Sequence, residues 1–469
     1  MLFDTPIYLV FLTLCVVLYW TLKHKSQNVF LLGCSYIFYG WWDWRFLLLM
    51  IGSTTIDYLV GRGIEDESSS AARKRLLILS LVVNFTILGF FKYFNFFLDS
   101  TVSSLGAFGI RGIPRSFLSI ILPPGISFYT FQEVAYIVDV YSGRVKASRK
   151  FVDYALFISL FPHLIAGPIQ RPSHLLPQVQ RPRFFDSERF RDGCMLILMG
   201  LFRKCVLADN FANLANSAFG GTLGRNGWTT LIGVYAFAGQ IYGDFSGYSD
   251  IARGSAKLLG FEFMVNFRQP YLATSMQDFW RRWHISLSTW LRDYLYIPLG
   301  GSRHGSIKTY RNLLVTMLLG GLWHGANWTF VIWGALHGVA LSIERLVFGD
   351  HKPGADSPAY SKVFRRILCF HFVCFAWIFF RAETLSAAVA MIRSLAHFQW
   401  SPSYMPALLF LAVLSGVALA IDLLVEHSGK EYLFQGQRAT LSLAWVVSEM
   451  VLLAFFSGSG SHAFIYFQF

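Results

Sequence analysis

The sequence predicts an all-α, polytopic membrane protein, and both composition and patterning point to this fold class. Hydrophobic residues make up 54% of the 469-residue chain and charged residues only 14%, against roughly 25% charged in ordinary globular proteins. A surface with so little charge would not keep a chain of this length in solution. The apolar residues also form long runs, whereas a membrane β-barrel would show alternating segments of about ten residues. The same scarcity of charge excludes a disordered or collagen-like chain.

Runs without a charged residue mark the predicted spans in chain order, because a helix needs about 20 mostly apolar residues to cross the hydrocarbon. The clear runs are Thr5–Leu22, Ser26–Trp42, Leu76–Phe91, Ser116–Gln132, Tyr154–Gln170, Asn226–Gly243, Asn312–Ile343 and Ser394–Ile421. Weaker stretches lie near Cys194–Phe219, Ile367–Phe380 and Thr440–Phe456. We therefore predict about eleven hydrophobic helices in a single membrane domain that comprises residues 1–469.

Two clusters of proline and glycine interrupt these runs at membrane depth. Pro123-Pro124-Gly125 stands in the fourth run, and Pro162 and Gly167-Pro168 stand in the fifth. Such breaks are tolerated in a membrane only where the backbone lines a cavity or is buried in protein. We therefore expect re-entrant segments around a central site.

The net charge of +13, from 40 basic and 27 acidic residues, is concentrated in parts of the chain. Eleven basic residues lie between Arg144 and Lys204, and nine lie between Arg253 and Arg311. One interpretation is cytoplasmic loops that obey the positive-inside rule. The other is an electropositive mouth for an anionic substrate, such as a phosphate-bearing acyl carrier. Nucleic acid is not an expected partner, because the basic residues are divided among short loops between spans.

The positive-inside rule also predicts the orientation of the chain. Lys23–Lys25 and Arg73–Arg75 are predicted to face the cytoplasm, which places the N-terminus on the periplasmic or extracellular side. Asp4 precedes the first apolar run, and no small-residue cleavage site follows it. We therefore expect this run to be a retained span and not a signal peptide.

The stretch Gln269–Arg303 mixes charged and aromatic residues at helical spacing. One side of the predicted helix carries Trp280, Trp283, Leu287 and Trp290, at i, i+3, i+7 and i+10. Its arginines and aspartates would carry a large free-energy cost if they faced lipid. The helix is either an interfacial amphipathic helix with a tryptophan anchor or the lining of a wet cavity open to the cytoplasm. His284 lies in this stretch, and taken alone it fits a hydrogen-bonded structural role or a functional one.

His324 lies thirteen residues into the 32-residue run Asn312–Ile343, near the predicted middle of the bilayer. Ionisable groups are expensive there and usually functional. The surrounding block Gly320–Trp328 is rich in small residues, which allow close helix packing or leave room for a ligand. Burial without an anionic partner favours neutral imidazole, which can accept a proton as a general base. The alternative is a core histidine bonded to Asn327 or to a backbone carbonyl. His337, on another helix face, is predicted to be structural.

The sequence does not match the common catalytic motifs that its residues suggest at first sight. Gly243–Gly247 has the pattern G-x-x-S-G and not the G-x-S-x-G of a nucleophile elbow. No Walker A, Rossmann or H-E-x-x-H pattern appears in a suitable context. The six cysteines are scattered, and no cysteine–histidine cluster has zinc spacing, so we expect no metal site. Asp244 and Asp250 are interpreted as ion-pair partners or helix caps.

Together, these blocks resemble the membrane-bound O-acyltransferase family, specifically its bacterial branch that acetylates envelope polysaccharides. The resemblance rests on Phe279–Tyr294 and Gly320–Trp328, with support from Leu122–Phe131, Phe161–Pro168 and Asp244–Asp250. It extends over nearly the whole chain, and the two histidine blocks together are highly specific. It implies a ring of about eleven or more helices around a tunnelled core with re-entrant segments, in the inner membrane of a bacterium.

The resemblance also implies a reaction. His324 matches the family's catalytic histidine, and His284 matches its second polar position. The family transfers acyl groups from a cytoplasmic thioester, for which we expect acetyl-CoA, and no bound cofactor is expected. A periplasmic partner resembling an SGNH hydrolase then passes the acetyl group to a sugar hydroxyl of a polysaccharide such as alginate or peptidoglycan.

A thioester is an activated donor, so the reaction needs proton removal and oxyanion support. We expect His324 to deprotonate the acceptor hydroxyl, and His284 to position the donor or the developing charge. Candidates for binding the donor are Arg281, Arg282, Arg292, Trp283 and Asn327. The alternative for the arginines is anchoring of the cytoplasmic face or ion pairing with nearby aspartates.

The last residues, 457–469, are predicted to form a periplasmic aromatic tail. One interpretation is an interfacial aromatic belt. The ending Phe464–Phe469 also resembles a terminal F-x-Y-x-x-F motif of acyl-export systems. On that resemblance, Tyr466 would carry the acetyl group as a phenyl ester and present it to the partner.

A transporter or flippase for an envelope precursor is the alternative class, because broken helices and polar groups at the midplane are also typical of transporters. It predicts substrate movement without acyl chemistry, and inverted repeats that we do not find in the sequence. A scaffold that docks a periplasmic enzyme is a third hypothesis.

Overall fold

The computed structural model describes residues 1–110, 120–165, 167–349, 358–433, 435 and 439–456. Every regular element in this part of the chain is a helix, which confirms the prediction of an all-α protein. These residues form two compact units. The first comprises Met1–Cys194 and Ala252–Met264, and the second comprises Met195–Ile251 and the chain from Val265 onward.

The first unit is built from the N-terminal helices. In chain order they are α1 (Pro6–Thr21), α2 (His24–Gly40), α3 (Trp44–Asp66), α4 (Ser70–Leu88), α5 (Phe94–Ala107), α6 (Ile126–Tyr141), α7 (Phe151–Ser159), α8 (Phe161–Leu164) and α9 (Pro172–Gln180). The predicted breaks lie at helix ends: Gly125 precedes α6 with φ 72°, and Pro162 lies in the single turn of α8 after α7 has ended. Whether these segments are re-entrant stays a prediction.

Two helices, α10 (Ser187–Leu201) and α12 (Gly227–Leu258), contribute residues to both units. The other helices of the second unit are α11 (Asp209–Phe219), α13 (Met276–Arg282), α14 (Ile285–Leu291), α15 (Ser306–His324), α16 (Trp328–Phe348), α17 (Ala359–Arg381), α18 (Leu385–Ser394), α19 (Met405–Ser428) and α20 (Ala439–Phe456). Its interior is aromatic. Trp283, Trp333 and Trp377 are each buried, and the rings of the last two stack with centroids 5.7 Å apart.

Within the described residues, five helical segments are long and apolar enough to cross a membrane. They are Trp44–Asp66, Ser70–Ala107, Trp328–Phe348, Ala359–Arg381 and Pro402–Ser428. Shorter apolar helices cover Pro6–Thr21, Leu385–Ser394 and Ala444–Phe456. The chain is thus a membrane protein, as its composition predicts. The count of about eleven spans and the orientation of the termini stay predictions.

Candidate active site

His284 lies at a break between α13 and α14, with φ 42° and ψ 54°. A non-glycine residue in this left-handed region costs on the order of 1 kcal/mol or more, and it persists only where its surroundings fix it. The single amphipathic helix predicted for Gln269–Arg303 is therefore wrong. Instead of lying on a helix face, the His284 side chain is enclosed by protein and is 0% exposed.

The break is held by backbone hydrogen bonds to the segment around Asn266. In a continuous helix, the Ile285 amide would donate to a carbonyl four residues earlier. Here it donates to the Asn266 carbonyl at 2.9 Å, and the Arg282 carbonyl accepts from the Arg268 amide at 2.9 Å. These bonds satisfy backbone groups that the helix would otherwise use, so the helix ends and His284 turns inward.

The Asn266 side chain fixes the tautomer of His284. Its Oδ1 accepts from the backbone amide of Ser286 at 3.1 Å and from the Ser286 hydroxyl at 2.9 Å. A backbone amide can only donate, so the atom that faces it is the amide oxygen. The same oxygen lies 3.2 Å from Nδ1 of His284, and Nδ2 of Asn266 donates to the Ser249 hydroxyl at 3.2 Å. Nδ1 of His284 must therefore carry the proton.

The other ring nitrogen of His284 is then a hydrogen-bond acceptor. Within the described residues, Nε2 has no hydrogen-bond partner although it is buried. Aromatic rings surround the His284 ring: the Phe245 ring meets it edge-on with centroids 4.5 Å apart, and the centroid of the Trp323 ring lies 6.0 Å from its centroid. An unpaired buried acceptor is costly, and where it occurs in a native protein it requires an explanation, such as a catalytic role.

His324 is the last residue of α15 and is 3% exposed. The 32-residue run that contains it is not one helix, because the chain turns at Gly325–Asn327 and returns as α16. The turn is defined by Asn327, whose Oδ1 accepts from the Thr329 amide at 3.0 Å and caps α16. His324 thus stands at the closed end of a helical hairpin.

The small residues around His324 serve close packing between α15 and α16, as one of the sequence hypotheses proposes. A Cβ atom at Gly321 would lie 2.2 Å from the Phe330 carbonyl oxygen, and one at Gly334 would lie 2.3 Å from the Met317 carbonyl oxygen. Neither approach is possible for a larger residue. The His324 ring is enclosed by Trp333 and Phe380, with centroids at 5.1 Å and 5.3 Å.

The fold brings the two predicted histidines together. Their ring centroids are 6.4 Å apart, although 40 positions separate them in the sequence. This separation is too long for a hydrogen bond between the rings. It is short enough for one small group to contact both. The two histidines therefore form a buried pair that can act on the same bond.

Two of the predicted donor-binding residues have structural contacts. Trp283 is 1% exposed, and its ring stacks on Phe279 with centroids 5.6 Å apart. Asn327, besides capping α16, donates through Nδ2 to the Glu383 carbonyl at 2.9 Å. These contacts account for both residues without a ligand.

The three predicted arginines differ in their surroundings. Arg282 pairs with Asp278 at 2.9 Å and with Glu426 at 2.9 Å, and Arg292 pairs with Asp293 at 2.7 Å. These contacts match the ion-pairing alternative. Arg281 is exposed, and within the described residues it has no ion pair. Of the three, Arg281 has the guanidinium most available to a ligand.

Three other predictions concern residues near or beyond this site. Tyr466 and the tail 457–469 lie outside the described residues. His337 is buried against Trp333, with centroids 4.7 Å apart, and within the described residues neither of its ring nitrogens has a hydrogen-bond partner, so its predicted structural role stays a prediction. The ion-pair interpretation of the aspartates is confirmed, because Asp250 pairs with Arg203 at 2.5 Å and Asp244 pairs with Lys204 at 3.0 Å.

Asn266 is the residue that the sequence analysis missed. It lies 18 positions before His284, in a stretch without helical periodicity. No spacing rule links it to the histidine. The only signal in the sequence is a single amide side chain in the otherwise apolar stretch Phe263–Phe267, and this is too common to indicate a site.

Comparison with known proteins places this site in a family. The family model of the membrane-bound O-acyltransferases matches residues 146–382, which include His284 and His324. The chain is 44% identical over 410 residues to a probable alginate O-acetylase of Azotobacter vinelandii, covering 86% of this chain and 80% of the relative. It is 37% identical over 433 residues to a peptidoglycan O-acetyltransferase of Helicobacter pylori, covering 84% and 80%.

A more distant relative has a different acyl group in its name. The chain is 27% identical over 278 residues to a teichoic acid D-alanyltransferase of Bacillus subtilis, covering 55% of this chain and 68% of the relative. All three relatives transfer acyl groups according to their names. The buried histidine pair and these matches agree: the chain belongs to the membrane-bound O-acyltransferase family and is an O-acyltransferase.

Proposed function

We propose that this protein passes an acetyl group from cytoplasmic acetyl-CoA across a bacterial inner membrane for O-acetylation of an envelope polysaccharide, alginate or peptidoglycan. The observation that carries the proposal is the buried pair of His284 and His324, with rings 6.4 Å apart, in an O-acyltransferase. The names of the relatives, an alginate O-acetylase and a peptidoglycan O-acetyltransferase, support the acetyl group and the class of polysaccharide.

His324 acts as the general base. It takes the proton of the acceptor hydroxyl while the hydroxyl oxygen attacks the thioester carbonyl carbon. The C–S bond then breaks, the new ester keeps the acetyl group, and CoA leaves as a thiolate that takes the proton from His324. The enclosure of the His324 ring by Trp333 and Phe380, with the residue 3% exposed, supports this role because it shields the ring from solvent.

His284 positions the donor by accepting a hydrogen bond. Its Nδ1 proton is engaged by Asn266, so the neutral ring offers only a lone pair at Nε2. Such a ring cannot donate to a developing oxyanion. It can accept from an N–H group, and the pantetheine arm of CoA carries amide N–H groups close to its sulfur. Of the two roles expected for His284, donor positioning is the one that this tautomer supports.

Arg281 attracts the phosphates of CoA. Its guanidinium is exposed and unpaired among the described residues, whereas Arg282 and Arg292 already pair with carboxylates. An unpaired arginine keeps its full capacity for bidentate contact with phosphate.

The acceptor within this chain is Tyr466, which takes the acetyl group as a phenyl ester and presents it to a periplasmic SGNH-hydrolase-like partner. The support is the terminal sequence Phe464–Phe469 and its likeness to a motif of acyl-export systems. Mass spectrometry of the C-terminal peptide after incubation with acetyl-CoA should find one added acetyl group. Full activity of Tyr466→Phe would rule the relay out.

The proposed topology has about eleven or more spans around a tunnelled core, with both termini in the periplasm. The clustered basic residues support it through the positive-inside rule. The helix break at His284 lies in the interior of the second unit, because this residue is 0% exposed. Such breaks are tolerated at membrane depth where they are enclosed by protein.

The experiment that separates this proposal from a transporter is an assay of bond cleavage. Purified protein in nanodiscs is given acetyl-CoA labelled in the acetyl group, and free CoA and transferred label are measured. We expect CoA release, and its loss in His324→Ala. His337→Phe is the matched control, because this buried histidine makes no hydrogen bond among the described residues and packs on aromatic rings. Movement of label without CoA release would favour the transporter.

A further inference from the structure

A large cleft in the second unit is separate from the histidine pair. It has a volume of about 740 Å³ and lies between α12, α17 and α19. Pockets of this size hold ligands as large as a drug molecule or a lipid chain. Neither His284 nor His324 lines it.

The cleft lies between helices that are candidate membrane spans. Two of its walls, α17 and α19, are candidate membrane spans. Several apolar residues on its rim are about half exposed, among them Val363 at 51%, Ile367 at 52% and Leu419 at 50%. At membrane depth the medium beside these residues is hydrocarbon, and an empty cleft would forfeit the dispersion contacts of its lining.

The length of the cleft fits one leaflet. On α19 its lining runs from Leu411 to Leu423, which at 1.5 Å per residue is roughly 18 Å. The hydrocarbon core of a bilayer is about 30 Å thick, so one leaflet contributes about half of that. A single acyl chain of a membrane lipid therefore matches both the depth and the apolar character of the cleft.

One charged group in the cleft has spare capacity for an anion. Arg366 lines the cleft from the N-terminal third of α17. Its Nε donates to the Leu272 carbonyl at 3.1 Å, and among the described residues it makes no other hydrogen bond and no ion pair. An arginine on a membrane-spanning helix without an acidic partner is expensive unless something else neutralises it.

Two other charged residues of the cleft, Asp422 and Arg203, already have partners. Asp422 accepts a hydrogen bond from the Tyr242 hydroxyl at 3.0 Å and is attracted by Arg203. Arg203 in turn pairs with Asp250 at 2.5 Å. The carboxylates on this side are thus held by Tyr242 and Arg203, and the charge of Arg366 is left for a ligand.

We propose that this cleft is a binding site for an anionic phospholipid. One acyl chain lies between α12, α17 and α19, and the phosphodiester of the headgroup accepts hydrogen bonds from the free N–H groups of Arg366. This proposal requires only that the chain is a membrane protein. It can therefore be right or wrong independently of the acetyl-transfer proposal.

The test measures lipid selectivity. The purified full-length protein in detergent is titrated with phosphatidylglycerol or phosphatidylcholine that have the same acyl chains, and bound lipid is counted by native mass spectrometry. We expect one high-affinity site that prefers phosphatidylglycerol by on the order of tenfold, because phosphatidylcholine carries a positive choline group that offsets the charge of its phosphate and is repelled by Arg366. Equal binding of the two lipids would mean a non-selective boundary lipid and would overturn the proposal.

Two pairs of variants locate the headgroup and the chain. Arg366→Gln should abolish the preference for phosphatidylglycerol, whereas Arg365→Gln should keep it, because Arg365 lies over the Phe348 ring and does not line the cleft. Ala418→Phe should weaken binding of both lipids by filling the cleft, whereas Ala420→Phe, on the same helix but outside the cleft, should not. Unchanged selectivity in Arg366→Gln, or unchanged binding in Ala418→Phe, would contradict the assignment.

Discussion

Replacing Asn266 with Asp should move the pH dependence of acetyl transfer while leaving the fold intact. The carboxylate has the shape of the amide and can still accept from Nδ1 of His284 and from the Ser286 amide, which lie 3.2 Å and 3.1 Å away in the native protein. The Ser249 hydroxyl, which now accepts from Asn266, can rotate and donate. What changes is the charge beside His284, and a negative charge favours the imidazolium form.

The size of the shift follows from the hydrogen bond that is changed. A hydrogen bond to a charged group contributes about 1.5–3 kcal/mol, against about 1 kcal/mol for a neutral one. The difference of roughly 0.5–2 kcal/mol favours imidazolium, and at 1.36 kcal/mol per pH unit it corresponds to about 0.4–1.5 pH units, or about one pH unit at the middle of the range. In the imidazolium form Nε2 carries a proton and cannot accept from the donor. Activity should therefore begin to fall about one pH unit higher as the solution is made acidic.

The assay is acetyl-CoA turnover by wild type and Asn266→Asp in the same nanodiscs from about pH 3 to pH 7, because burial lowers the pKa of His284 to about 3 and the acidic limb of its titration lies there. Ser249→Ala is the matched control, because it removes a partner of Asn266 on the side away from His284. It should lose about 1 kcal/mol of stability and keep the wild-type pH profile. A wild-type profile for well-folded Asn266→Asp would refute the claim that Asn266 sets the protonation state of His284.

Three further predictions test other parts of the site. His284→Asn should fold, because asparagine tolerates the left-handed conformation, but it should lose most activity because the Nε2 lone pair is gone. His284→Ala should be less stable than His284→Asn by about 1 kcal/mol, measured by thermal unfolding. Equal stability of the two variants would argue against backbone strain at this position. Gly321→Ala should lower the thermal stability strongly, because its Cβ would lie 2.2 Å from the Phe330 carbonyl oxygen, whereas Gly416→Ala, with open space around it, should be neutral. Arg281→Gln should raise KM for acetyl-CoA several-fold with kcat unchanged, as expected for the loss of uniform binding, and an unchanged KM would exclude Arg281 from the donor site.

Much of the fold could be predicted because the hydrophobicity that marks a membrane helix is present within each segment of the sequence. Charge-free runs located α1, α2, α4 and α19, since hydrophobicity is a property of each segment by itself. The glycines around His324 predicted either close helix packing or room for a ligand, and the hairpin of α15 and α16 uses Gly321 and Gly334 for close packing. The importance of His284 and His324 was predicted from the resemblance of their two blocks to a family.

The features that were missed depend on contacts between distant parts of the chain. The tryptophan spacing around His284 is helical, yet backbone bonds to residues 266 and 268 end the helix there. These tertiary hydrogen bonds end the helix despite the helical periodicity of the sequence. A rule based on periodicity within one segment cannot predict a bond to another segment. Likewise, Arg282 and Glu426 are 144 positions apart, so their ion pair could not be read from a sequence window. The proximity of the two histidines is also a tertiary fact.

The central claim is that His324 removes the proton of the acceptor as the thioester is attacked. The most direct measurement is the single-turnover rate of CoA release by purified wild type, His324→Ala and His337→Phe at equal protein abundance. General-base catalysis contributes about 10²- to 10⁴-fold, so His324→Ala should be slower by at least a hundredfold, while His337→Phe stays within a few-fold of wild type. CoA release by His324→Ala at the wild-type rate would contradict the account.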